Sequence, residues 1–139
     1  MRVVVYNIQD FEKETLAKAN AKVHDLTLIS NPLNLETLRY AVGKEVVIIS
    51  HKDILDREIL DALHNINVNK IITRSSTMDH IDMDYAKKLK FHVANTPDSD
   101  TSLESVAQQT IKNLTLWTQN ECLGSSCQCG FSCNKDKTL

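Results

Sequence analysis

Ile71-Ile72-Thr73-Arg74-Ser75-Ser76-Thr77-Met78-Asp79-His80-Ile81-Asp82 runs from an apolar strand into a turn of small hydroxyl residues, which opens a short amphipathic segment. A short apolar run without polar alternation is the pattern of a strand buried on both faces, as in a parallel sheet. In open parallel sheets ligands bind beyond the carboxyl ends of the strands, so this turn is where a site is sought.

The same strand-then-helix order repeats on both sides. Upstream, Val3-Val4-Val5-Tyr6 reads as a strand, and Asp10 is positioned to cap a helix in which Phe11, Thr15, Leu16, Ala19 and Val23 recur at helical spacing. Leu26-Thr27-Leu28-Ile29 is a second strand, and Asn34 can cap a short helix carrying Leu35, Leu38 and Ala41 before Gly43 ends it. Val46-Val47-Ile48-Ile49 is the third strand, and Ser50-His51-Lys52-Asp53 leads from it to a helix with Ile59, Leu60 and Leu63 on one face. Downstream, a helical stretch from Met83 to Leu89 precedes Phe91-His92-Val93-Ala94, the fifth strand. A longer helix from Thr101 to about Gln119 follows, with Asp100, Thr101 or Ser102 as its cap. This alternation implies right-handed crossovers and helices on both faces of the sheet. The expected fold is α/β, a flavodoxin-like three-layer sandwich with a five-stranded parallel sheet, a long C-terminal helix and a cysteine-rich tail. The expected division is a domain over 1–119 and an aperiodic tail over 120–139 that hangs from the helix end.

Composition narrows the function classes. The chain has 139 residues, 42% hydrophobic and 24% charged, enough for one core. A net charge of -2 and the lack of any basic run give no reason to expect nucleic acid or an anionic membrane as partner. No secretory apolar region and no run of the ~18 residues needed for a membrane span is present, so the cytoplasm is the expected compartment. Only three glycines occur, Gly43, Gly124 and Gly130, so no Gly-x-Gly-x-x-Gly pyrophosphate turn and no Walker-type loop can be drawn.

Arg74-Ser75 followed by Asp79-His80-Ile81-Asp82 resembles the Arg-Ser-x-Gly-x-Asp-x-x-Asp turn of the D-isomer-specific 2-hydroxyacid dehydrogenases, particularly the substrate-side domain of the D-lactate dehydrogenase branch. The resemblance extends over roughly Arg2 to Gln119. It includes Val5-Tyr6-Asn7 before Phe11-Glu12-Lys13, Pro32-Leu33-Asn34, and Val93-Ala94-Asn95-Thr96-Pro97 before Val106-Ala107. It implies that the turn Arg74, Ser75, Ser76, Thr77 and Met78 is the remnant of a substrate-binding cradle, in which backbone N–H groups hold a carboxylate. Thr77 stands where the family places glycine, and Gln108 where it commonly has glutamate, so the cradle is expected to be altered. The family's NAD site, catalytic arginine and acid/base histidine belong to a nucleotide domain that these residues do not encode. The expectation is therefore a stand-alone, catalytically incomplete domain with no catalytic residue of its own and no NAD bound by this chain alone. It would pair with a second copy through the former interdomain face. The alternatives are half of a NAD-dependent dehydrogenase completed by a separate nucleotide-binding chain, or a sensor of small carboxylates or of redox state.

The chain has five histidines that could carry chemistry. His80 beside Asp79 suggests a base and its orienter, but neighbouring side chains rarely point together, and Asp79 reads better as a helix cap. His51 reads as a solvated loop residue, His24 and His64 as cations near helix C-termini, and His92 as a strand residue.

The tail contains Cys122, Cys127, Cys129 and Cys133 in a Cys-x4-Cys-x-Cys-x3-Cys pattern among glycine and serine. Clustered thiolates suit a soft ion such as Zn(II) or Cu(I), and in a reducing compartment they are not a structural disulfide framework. Part of this stretch is similar to short segments of metallothioneins. The pattern matches neither a paired zinc knuckle nor a ferredoxin motif, and a thiol/disulfide element or an unstructured tail are the other readings.

Overall fold

A computed structural model describes residues 1–97, 102–121 and 123–129. Its order is β1 (Arg2–Val5), α1 (Asp10–Asn20), β2 (Asp25–Leu28), β3 (Val46–Ile49), α2 (Arg57–Asn65), β4 (Lys70–Thr73), α3 (Met83–Lys88), β5 (His92–Ala94) and α4 (Leu103–Thr118). All pairings are parallel and the strands lie in the order β2-β1-β3-β4-β5. This is the flavodoxin-like order expected from the alternation.

Period-two alternation sorts the strand side chains into two cores. Val3, Val5, Val46, Ile48, Ile72 and Ala94 face α1 and α4, where Leu16, Ala107, Ile111, Leu114 and Trp117 cover them. Val4, Tyr6, Val47, Ile49, Ile71 and Val93 face the other way, under Ile59, Leu60, Leu63 and Ala86 of α2 and α3. Among the described residues no helix is long and apolar enough to cross a membrane.

The ends of several elements differ from the sequence expectation. Gln9, not Asp10, stands at the N-cap of α1, where its N–H donates to Glu12 Oε1 at 3.0 Å and its carbonyl accepts from Glu12 N at 2.9 Å. The helix stops at Asn20, because Ala21 and Lys22 take left-handed φ values of 49° and 63°. Phe11 and Val23, expected on its apolar face, are each 65% exposed. The short helix after β2 is a single 3-10 turn at Leu38–Ala41, although Asn34 Oδ1 does accept from the N–H groups of Glu36 and Thr37 at 2.9 and 3.0 Å. Asp82, rather than Asp79, caps α3 by accepting from Tyr85 N at 3.1 Å. Ser102 caps α4, as one of the three candidates.

The segment after α4 does not hang free where it is described. Leu123 is buried in the core beneath α4, and residues 126–128 run antiparallel along the open edge of β5, with Asn95 N donating to Ser126 O at 3.1 Å and Gln128 N to Val93 O at 2.8 Å. Gln109 Nε2 on α4 donates to Ser126 Oγ at 3.0 Å and to Asn113 Oδ1 at 2.9 Å, fastening the segment from the helix side. Pairing of this kind covers a strand edge that would otherwise carry unpaired backbone groups.

Candidate functional site

The loops that leave the five strands converge on one edge of the sheet. At β4 the chain keeps its pairing for one residue past the strand, since Arg74 N donates to Ile49 O at 2.8 Å, and then turns. The carbonyls of Ser75 and Ser76 are taken by the exit of β5: Thr96 N donates to Ser75 O and Asn95 Nδ2 to Ser76 O, both at 3.0 Å. In a planar trans peptide the N–H points opposite to the C=O. The N–H groups of Ser76 and Thr77 therefore point away from β5. Among the described residues the N–H groups of Ser75, Ser76, Thr77 and Met78 meet no acceptor. Successive backbone N–H groups in a turn are the kind of donors from which an anion site is built.

The turn is fixed at both ends. Downstream, Leu55 N donates to His80 O at 2.8 Å and Asp82 N donates to Leu55 O at 2.9 Å, a two-bond bridge to the loop after β3. Inside it, Ser75 Oγ donates to Thr77 O at 3.0 Å and lies 2.7 Å from Thr73 Oγ1, which lies 2.9 Å from His80 Nε2. A consistent proton order places the donor on His80 Nε2, then on Thr73 Oγ1, then on Ser75 Oγ. His80 Nε2 is thus occupied holding the turn. Ser76 and Thr77 are exposed, and the Met78 side chain packs into the core, so only its backbone faces the turn. Thr77 is not among the positive-φ residues, so the chain avoids the left-handed conformation that glycine would allow at this position.

Arg74 is committed elsewhere. Its side chain is 4% exposed; Nη1 donates to Tyr6 O at 3.0 Å, Nη2 to Asn7 O at 3.1 Å, and Nε stands 3.4 Å from Glu12 Oε2 as an ion pair without hydrogen-bond geometry. Burial lowers its pKa, while the charges of Glu12 and Asp53 oppose that shift. The cavity beside it, lined by Ile8, Leu16, Leu103 and Ala107, measures about 20 Å³, room for a water and no more. Arg74 ties β4 to β1 and does not line a ligand-sized pocket there.

Sequence reasoning missed the residue at the centre of this edge. Asp53 is 1% exposed and its Oδ1 accepts from Leu33 N at 2.9 Å and Asn7 Nδ2 at 3.3 Å, while Oδ2 accepts from Ser50 N at 2.9 Å. One carboxylate thus joins the loops after β1, β2 and β3, at the β1/β3 position where strand order reverses. Asn7 takes the left-handed φ of 56° that this arrangement needs, which asparagine tolerates. The only local signal was an aspartate three residues after Ser50 in a strand-exit loop. Asn95 belongs to the stretch that carries the resemblance, but nothing in the sequence signals its role. It is 4% exposed, bonds Ser76 through Nδ2 and receives Asn113 Nδ2 on its carbonyl at 3.0 Å, and its buried Oδ1 meets no donor among the described residues.

His51 is exposed, as expected. His24 is instead buried, 6% exposed, with Nε2 3.1 Å from Thr115 Oγ1 on α4; burial, and then the N-terminal charge, hold its pKa below the ordinary value. His80 is lowered too, by burial first and then by His51, against Asp53 and Asp79. Neither favours the cationic form. A histidine whose folded pKa is depressed binds fewer protons folded than unfolded below about 6.5, so stability is present above that pH and lost as pH falls through it. Denaturant unfolding at pH 7.5 and 5.5 is expected to show lower stability at 5.5, with a smaller difference in His80→Gln. A rise in stability at pH 5.5 would contradict this account.

Of the four cysteines, Cys122 and Cys133 lie outside the described residues. Cys127 is half-buried against the α4-side core and Cys129 is 2% exposed. Among the described residues no group of three or more His, Cys, Asp or Glu side chains is gathered as a metal site.

A family model described as D-isomer specific 2-hydroxyacid dehydrogenase, catalytic domain, matches residues 3–128. A D-lactate dehydrogenase of Leuconostoc mesenteroides is 30% identical over 100 residues, covering 70% of this chain and 30% of that protein. A 2-hydroxyacid dehydrogenase homolog of Zymomonas mobilis is 29% identical over 98 residues, with 70% and 30% covered. In structure, the apo D-lactate dehydrogenase of Escherichia coli superposes with a TM-score of 0.68 at 29% identity, over 72% of this chain and 32% of that one. The chain thus spans about a third of the length of the relatives it matches.

Proposed function

The chain belongs to the D-isomer specific 2-hydroxyacid dehydrogenase family, and we propose that it is a substrate-side domain that holds the carboxylate of a small 2-hydroxy or 2-oxo acid at Ser75–Met78. The observation that supports this reading is the run of backbone N–H groups that meet no acceptor among the described residues at the carboxyl edge of β4. It needs no cationic side chain, which fits the commitment of Arg74 to β1. Exposed Ser76 and Thr77 can approach a ligand, and the Asn95–Ser76 and Leu55–His80 bonds preorganise the turn around it.

In this reading the chain binds and orients, and it does not by itself transfer hydride. Hydride transfer requires a nicotinamide and an acid/base group held beside the substrate carbon. His80, the candidate nearest the cradle, has its Nε2 engaged by Thr73. A nucleotide-binding domain outside these 139 residues would supply the NAD and the acid/base group. Without it the chain acts as a carboxylate-binding module in the cytoplasm, and the open edge around the turn pairs with a second copy or with the nucleotide-binding partner. We also keep the thiolate metal reading of Cys122, Cys127, Cys129 and Cys133 as part of the proposal. Calorimetry with pyruvate tests the binding claim. Saturable one-site heat is expected, and heat no larger than that of acetamide, which lacks the carboxylate, would remove it. NAD-dependent oxidation of D-lactate by the purified chain alone would remove the claim of incompleteness.

A further inference from the structure

The loop that leaves β3 flanks the candidate cradle on the side its donors face. β3 and β4 pair in parallel with Ile49 opposite Thr73, and the bond from Arg74 N to Ile49 O carries the register one residue further. Further on, Leu55 pairs with Ile81, so residues 50–55 and 74–81 run side by side. The exit of β5 lies on the other side of the turn, where Thr96 and Asn95 take the Ser75 and Ser76 carbonyls. Across the same peptide planes, the N–H groups of Ser76 and Thr77 are aimed towards the loop after β3. His51 stands at the corner of that loop. Ser50–Asp53 is a tight turn closed by Asp53 N donating to Ser50 O at 3.2 Å and by Lys52 N donating to Ser50 Oγ at 3.1 Å, with His51 and Lys52 exposed at its centre.

The charges around the turn leave one place open. Asp53 and Asp79 both act on the His80 ring, and two negative groups so near disfavour a ligand carboxylate unless a cation offsets them. Most cations of the neighbouring loops are committed. Arg74 is turned to β1, Arg57 stands 3.6 Å from Asp82 and lies over the Tyr85 ring, and Lys52 lines a groove on the β2 side with Pro32, Leu33 and Ile54. The His51 ring has no hydrogen bond or ion pair among the described residues. Its charge is felt on the cradle side, where it opposes protonation of His80. Resting on the reading of Ser75–Met78 as a carboxylate cradle, we propose that His51 is a ligand-binding residue of that cradle, its imidazolium facing the carboxylate that the backbone donors hold. The N–H groups fix where the carboxylate sits, and His51 supplies the charge that offsets Asp53 and Asp79. Histidine gains its charge between about pH 8 and pH 5, a range in which a small 2-oxo acid stays anionic, so affinity rises as pH falls.

The test is calorimetry with pyruvate at pH 7.5 and 5.5, on the full chain, His51→Gln and His51→Arg. An exposed ion pair is worth about threefold in affinity, so the unaltered chain is expected to bind about threefold more tightly at pH 5.5. His51→Gln should lose this rise. His51→Arg, charged at both pH values, should bind at pH 7.5 as tightly as the unaltered chain does at pH 5.5. Asp53, Asp79 and His80 are the same in all three proteins, so their own titration cancels in the comparison. The full rise persisting in a His51→Gln that binds pyruvate would overturn the role of His51 and leave the cradle standing. Pyruvate binding by none of the three proteins would overturn the cradle, and this inference with it. Should the variants fail to fold, histidine-ring NMR of the unaltered chain decides the matter: saturable shifts of the His51 ring with pyruvate are expected, and an unmoved His51 ring while the Ser76 and Thr77 amides shift contradicts the assignment.

Discussion

Asp53→Ala is expected to lower the unfolding free energy by about 4 kcal/mol, because it leaves buried donors from two loops unsatisfied at about 1–3 kcal/mol each and removes a charged acceptor. The donors are Leu33 N and Ser50 N, and the Asn7 side chain loses its partner as well. A loss of this size is a large share of the roughly 5–15 kcal/mol that keeps a domain folded. Asp53→Asn should cost less, since one oxygen remains to accept while the new amide opposes Ser50 N. Urea unfolding followed by circular dichroism reads both values. A loss below about 1 kcal/mol for Asp53→Ala would mean that water replaces the carboxylate and that the three loops are not held by it.

The second large effect is expected at Arg74. Arg74→Met keeps the aliphatic bulk and removes two charge-assisted bonds to Tyr6 O and Asn7 O. The expected loss is about 3 kcal/mol, at roughly 1.5–3 kcal/mol for a hydrogen bond to a charged group, less what solvent returns to the partly exposed Glu12. Asn7 is shared by both networks, since its carbonyl accepts from Arg74 and its side chain donates to Asp53. The double variant should therefore lose less than the sum of the two single losses, by about 0.5 kcal/mol or more. Strict additivity would mean that Asn7 does not couple them.

Both effects bear on the cradle because Arg74 begins the turn and Asp53 organises the loops beside it. The strands and their parallel pairing were legible in the sequence, since each is a run of about four apolar residues separated by helical spacing, the pattern of strands buried on both faces. The turn from Arg74 to Met78 was legible from its position and its hydroxyl residues. Asp53 was not, because its partners Leu33 and Asn7 lie 20 and 46 residues away on other loops and leave no local pattern. The same holds for His24, which reads as a helix-end cation by position but meets Thr115 across 91 residues and is buried there. The segment around Cys127 lacks any periodicity because a single short ladder and one glutamine hold it, so nothing in its own residues announced the edge of β5. The start of α1 moved by one residue because Gln9 takes the cap position expected of Asp10, while its end falls three residues short of Val23 where Ala21 turns left-handed.

Thr77 illustrates how the candidate site departs from the resemblance. The expectation was that a β-branched residue at a glycine position disturbs the cradle. In the structure the turn keeps its unpaired N–H groups without a left-handed residue at Thr77. The altered residue changes what the ligand meets at the rim, where the Thr77 side chain is exposed, and leaves the donors in place.

Those donors are the central claim, and backbone amide NMR during a titration with pyruvate tests it most directly. Saturable shifts are predicted at the amides of Ser75, Ser76, Thr77 and Met78, with smaller ones at Asn95 and none along β2. Saturable shifts confined to another surface, or none at these four amides at pyruvate concentrations where calorimetry records binding, would contradict the placement of the carboxylate in this turn.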